Sequence, residues 1–294
     1  MYGPVISALF LGLVPLWGVH APQVAAPPLT VSSPARMPSS LAATVLTGEP
    51  HIAGQQLSAS GVLVLDADSG QKIFGRDVDV QRPMASLAKQ MTALLIMEKH
   101  GHELDRLVNI PAGIGSVEGN KANLRPGDAY TVGDLLTAML VASANDAAVA
   151  LAEFDSGSVP AFVEQMNNRA AELGLRDTVF QNPVGLDAPT QRSTPQDLGW
   201  LTLFVMRTPQ IRDRMAMRSA EIRGRSGDVI ALSHTHALMH TTPDILAGKT
   251  GTTNDAGQCL VSLVEESGRR YIIVLLHSDD RYSDMRVLLN ALRA

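Results

Sequence analysis

At 294 residues the chain has room for one large domain or two small ones, with a sizeable core. A formal charge of −5 and only 4% aromatic residues exclude a basic, base-stacking surface for nucleic acid. The single cysteine, Cys259, excludes an intramolecular disulfide framework and a cysteine-rich metal site.

Residues 5–19, VISALFLGLVPLWGV, form an uncharged apolar run of signal-peptide length. It is shorter than the roughly 20 apolar residues a membrane helix needs, and Pro15 interrupts it. VHA at 19–21 suits a cleavage site, so residues 1–21 read as an export signal. An uncleaved N-terminal anchor close to the membrane surface is the alternative, and either places the rest outside the cytoplasm, in a periplasm or its equivalent. Residues 22–50 hold six prolines among Ala, Ser, Thr and Val, a composition that buries no core and reads as a tether. Residues 51–294 are the folded domain, with neither a second domain nor a membrane helix expected after it.

In chain order, VLVLD and KIFG around the turn ADSG predict two strands within residues 60–79. Residues 84–100 predict a helix that is apolar nearly all round and so runs through the interior. LRPGDAYT reads as a loop, and Thr131 with Asp134 reads as the cap of a helix through Val141. Further helices are expected over 146–153, over 159–174 ending at Gly174, and over 192–214. Two apolar strands joined by EESGRR form a hairpin, and a last helix closes the chain. Strands at both ends and helices between them predict an α/β (α+β) fold. Its antiparallel sheet is built from the two chain ends and flanked by helices, with an all-helical subregion.

Ser86 and Lys89 sit three residues apart at the start of the 84–100 helix, on one face and beside the helix dipole. Burial would lower the lysine pKa, and a neutral amine can take a serine proton. The alternative is a capping serine. S-x-x-K alone decides nothing, because SGQK at Ser69–Lys72 has the same spacing in a polar turn. Two distant signals change this: SAND at 143–146 and GKTGTT at 248–253. The order S-x-x-K, S-x-N, K-T-G, at intervals of 57 and 106 residues, is that of the active-site-serine penicillin-recognising enzymes.

Over roughly residues 58–290 the chain resembles the low-molecular-mass penicillin-binding proteins, and more narrowly the D-alanyl-D-alanine carboxypeptidase family. The segments VLVLDADSGQKIFGRDVDVQRPMASLAKQMTALLIME, ANLRPGDAYTVGDLLTAMLVASANDAAVALAE, FVEQMNNRAAELGLRDTVFQNPVGLD and GKTGTTNDAGQCLVSLV carry the likeness. It implies a β-lactamase/transpeptidase-like fold. It also implies removal of the terminal D-Ala from peptidoglycan stem peptides ending in D-Ala-D-Ala, with β-lactams as covalent inhibitors. By motif position, Ser86 is the implied nucleophile, Lys89 its base and Ser143 a proton relay to the leaving amine. Asn145 would bind the substrate carbonyl and help orient Lys89. Lys249 and Thr250 would hold the substrate carboxylate, with Gly251 and Thr252 completing the binding strand. The N–H groups of Ser86 and Thr252 would form the oxyanion hole, and Arg281 is a further candidate for the carboxylate. No metal or cofactor is needed.

A D,D-endopeptidase cutting cross-links shares this chemistry and is the alternative reading. A β-lactamase would need a glutamate for the deacylating water, and Glu172 lacks the expected context. A non-catalytic peptidoglycan-binding protein is disfavoured because every motif position is intact. His234, His236 and His240 could line one side of a strand, but no carboxylates accompany them and a zinc role is not expected. Asp66–Gly70 reads as a turn rather than a calcium loop, Cys259 as buried packing, and Met91 and Met97 as core filler.

Overall fold

The structure is a computed structural model that describes residues 56–293, so the segments 1–21 and 22–50 assigned from sequence lie outside the described residues. In chain order the regular elements begin with β1 (Gly61–Asp66), β2 (Lys72–Arg76), α1 (Lys89–His100), β3 (Leu107–Asn109) and β4 (Ala129–Thr131). The helical middle is α2 (Val132–Val141), α3 (Asn145–Ser156), α4 (Val159–Glu172), α5 (Pro195–Arg207) and α6 (Pro209–Ala216). Then come β5 (Ser219–Arg223), β6 (Val229–Ser233), β7 (Ile245–Thr253), β8 (Gly257–Glu266), β9 (Arg269–Ser278) and α7 (Arg281–Arg293).

One five-stranded antiparallel sheet, ordered β2-β1-β9-β8-β7, joins the beginning and end of the described chain. Its strands alternate between two cores, as the two-residue period of a strand requires. Leu63, Leu65, Val261, Ile272 and Val274 face the large core that contains the helical middle. Val62, Val64, Leu260, Ile273 and Leu275 face a smaller core sealed by Met285, Leu288 and Leu289 of α7. Both faces of the sheet are therefore covered, which is why β1 and β9 carry unbroken apolar runs and β8 one interrupted only by buried Ser262. The sheet is the one expected from sequence.

Four local expectations change. The helix predicted from Met84 starts at Lys89, preceded by a 3-10 turn over Ala85–Ala88. Ala85 has φ of +49°, which an α-helix cannot accommodate, and Ser86 caps nothing. The 192–214 helix divides into α5 and α6, because Pro209 has no N–H and Thr208 turns to an extended φ and ψ before it. Ala129–Thr131, expected in a loop, pairs with β3 as a short hairpin. The histidine run does not lie on a strand: β6 ends at Ser233, and His240 sits in a 3-10 turn. Thr131 does cap α2 by accepting the Asp134 N–H, and Asp66 closes the ADSG turn through Ser69.

Candidate active site

A cavity of about 420 Å³ lies where the β7 edge of the sheet meets the turn before α1 and the break between α2 and α3. Ser86, Ser143, Asn145, Thr250, Gly251 and Thr252 line it, together with Gly119, Asn120, Gly185, Thr235 and Arg281. Lys89 and Lys249 have no solvent exposure and reach the lining through their hydrogen bonds. All eight residues selected from the three motifs therefore meet here, although Ser86, Ser143 and Lys249 are far apart in the chain. The decoy pair does not: Ser69 bonds Asp66 in its turn, and Lys72 is exposed in β2.

Ser86 is half-buried, with its hydroxyl 2.9 Å from Lys89 Nζ. Lys89 also donates to the Val184 carbonyl at 2.6 Å. That carbonyl is held in place by a turn in which Asn182 Oδ1 accepts the N–H groups of Gly185 and Leu186. A side chain on Gly185 would meet the Ala85 carbonyl oxygen at 1.9 Å, and its φ is +89°, so only glycine lets this turn pass beneath Ser86. Gly251 serves the same approach from the sheet, since a Cβ there would lie 2.7 Å from Ala85 Cβ and 2.8 Å from Ser86 N.

Ser143 occupies the break between α2 and α3 with φ of +58°, a strained conformation for serine of the kind that clusters at functional sites. Lys249 donates to its hydroxyl at 2.7 Å and to the Thr250 carbonyl at 2.8 Å. Asn145 donates Nδ2 to the Glu118 carbonyl at 2.7 Å, and among the described residues its side chain makes no hydrogen bond to Lys89. Its Oδ1 is buried without a protein partner. Next to it, buried Asp146 accepts the Ala122 and Leu124 N–H groups and fixes the loop whose Gly119 and Asn120 form the cavity rim. Arg281 donates to the carbonyls of Gly251 and Cys259 and to Thr252 Oγ1.

Burial, then the neighbouring charge of Lys249, holds the Lys89 amine well below the usual lysine range, with Asp146 partly opposing. Burial and Arg281 bring Lys249 down to about 7. The site thus offers a hydroxyl, an amine poised to be neutral beside it, a second hydroxyl reached by a second amine, and a cationic, hydroxyl-rich end. Those are the parts of metal-free acyl transfer.

Val184, Gly185, Asp146 and Thr235 were not selected from sequence. Val184 and Gly185 stand near the end of the quoted segment FVEQMNNRAAELGLRDTVFQNPVGLD and Asp146 in SAND, but nothing local marks a carbonyl or a turn glycine as part of a site. Cys259 is fully buried, with its thiol pushed up to about 11 by burial, and packs as a small apolar residue. Glu172 ends α4 paired with Arg169 and does not line the cavity. Among the described residues no cluster of His, Cys, Asp and Glu is arranged to hold a metal.

A sequence model of the D-alanyl-D-alanine carboxypeptidase family matches residues 47–280. A D-alanyl-D-alanine carboxypeptidase of Bacillus subtilis is 31% identical over 74% of this chain, which spans only 57% of that relative's length. A D-alanyl-D-alanine endopeptidase of Pseudomonas aeruginosa is 30% identical, covering 83% of this chain and 80% of its own. The crystal structure of a D-alanyl-D-alanine carboxypeptidase from Mycobacterium tuberculosis superposes with a TM-score of 0.75 at 30% identity, over 81% of this chain and 91% of the other.

Proposed function

The chain belongs to the D-alanyl-D-alanine carboxypeptidase family, and from that premise we propose that it is a penicillin-sensitive serine D,D-carboxypeptidase. Its substrate is a peptidoglycan stem pentapeptide, from which it removes the terminal D-Ala. In this reading Ser86 Oγ attacks the penultimate D-Ala carbonyl and passes its proton to Lys89, forming an ester as the peptide bond breaks. The proton reaches the departing amine through Ser143, and water then hydrolyses the acyl-serine. Lys249, Thr250 and Thr252 hold the terminal carboxylate, Gly251 lets the strand approach, and the Asn145 amide, which lines the cavity, meets the substrate carbonyl. The N–H groups of Ser86 and Thr252 receive the oxyanion. The observation that carries the reading is the 2.9 Å contact between Ser86 Oγ and a lysine amine with no solvent exposure.

Export fits this substrate. Residues 1–21 act as a signal or N-terminal anchor, 22–50 as a tether and 51–294 as the catalytic domain, and no helix of the described residues is long and apolar enough to cross a membrane. The endopeptidase relative supports a second reading, cleavage of cross-links by the same acylation. Incubating the protein with defined muropeptides tests both. Release of D-Ala from monomeric pentapeptide, abolished in Ser86→Ala, is the result expected. Conversion of cross-linked dimers without D-Ala release from monomers favours the second reading, and turnover of neither contradicts both.

A further inference from the structure

One wall of the cavity belongs to none of the three motifs. Thr235 follows β6, is half-buried, lines the cavity, and places Oγ1 2.6 Å from Thr250 Oγ1. Its main chain is fixed on both sides, donating N–H to the Val141 carbonyl at 3.1 Å and accepting the Tyr282 hydroxyl at 3.0 Å. The flanking His234 and His236 are buried, His234 Nδ1 accepting the His236 N–H and His236 Nε2 meeting Ser262 Oγ at 2.9 Å. The His236 ring stacks on Tyr282. Thr235 is therefore held rigidly at the cavity wall. The preceding residue of α7, Arg281, grips Thr252 on β7. Two consecutive residues of one helix thus fix both sides of the end where Thr235, Thr250 and Thr252 gather.

A threonine hydroxyl has one proton to give, so only one member of the Thr235–Thr250 pair donates to the other and the second proton is free to enter the cavity. Lys249, whose Nζ donates to the Thr250 carbonyl, and Arg281, which lines the same cavity, favour an anion at this end. We propose that Thr235 is a positioning residue for the substrate carboxylate: its hydroxyl donates to Thr250 Oγ1 and turns the Thr250 proton onto a carboxylate oxygen. This rests on the D,D-peptidase reading and adds to it a selection for ligands with a free carboxylate. An esterified ligand carries no negative charge there and accepts more weakly, so it gains less from the aligned proton.

Benzylpenicillin and its methyl ester differ only in that carboxylate, and the second-order rate of protein acylation by each reads the effect. Thr235→Val keeps the volume and removes the donor. It is expected to slow acylation by benzylpenicillin about tenfold and acylation by the ester less than twofold. Thr235→Ser should restore the wild-type ratio, and Tyr282→Phe should move it the same way by a smaller factor. Equal slowing with both compounds, or no slowing with the acid, overturns the inference while leaving the acyl-serine intact. A wild-type protein acylated by neither compound overturns the D,D-peptidase reading, and this one with it.

Discussion

Lys89 and Lys249 are both without solvent contact and both far below the ordinary ammonium range, but the proposed chemistry asks different things of them. Lys89 takes a proton only as a neutral amine, so acylation is lost as pH falls and Lys89 becomes charged. Lys249 keeps Lys89 low and attracts a carboxylate only while charged, and that charge is lost as pH rises past about 7. The rate of acylation by penicillin should therefore be bell-shaped between pH 5 and 10, and Lys89→Met should lower its maximum by about 10²–10⁴-fold. A flat profile would contradict the base role. At this scale the sequence showed the spacing of Ser86 and Lys89 but not what surrounds it. The Val184 carbonyl, the Gly185 turn and the Thr235 hydroxyl act through positions that only the packed chain creates. The capping reading of Ser86 failed because the left-handed Ala85 replaces the first helical turn with a 3-10 turn.

Among the elements, α7 does more than cover the sheet. Asp284, on its first turns, is buried and accepts the Ser58 and Ala59 N–H groups and the hydroxyls of Ser58 and Ser278. It ties the chain entering β1 to the chain leaving β9. Removing one partner of a buried charged network leaves several donors unsatisfied, so Asp284→Ala should cost about 3–5 kcal/mol. Urea unfolding measures this, and a loss below about 0.5 kcal/mol would mean that these bonds do not hold the closure. Long elements with a clear period, such as α4 and the β8–β9 hairpin, were legible in advance. The three-residue strands β3 and β4 were not, since three residues carry no period and their pairing depends on a partner about 20 residues away. The α5–α6 boundary was readable from Pro209, yet the apolar spacing across it still resembles one helix.

For the whole molecule, the sheet drawn from both chain ends decides where the site can be. Its β7 edge carries Lys249 and Thr250 to the helical layer, where the 3-10 turn before α1 and the α2–α3 break supply Ser86 and Ser143. The order of the motifs was visible in sequence because each occupies a few consecutive residues, whereas the cavity between them is a product of tertiary packing. The central claim is that these parts make Ser86 a nucleophile, and covalent labelling with benzylpenicillin followed by peptide mapping tests it most directly. A single acyl adduct on the peptide containing Ser86, absent from Ser86→Ala, is the predicted result. An adduct on another residue, or undiminished labelling of Ser86→Ala, would contradict it.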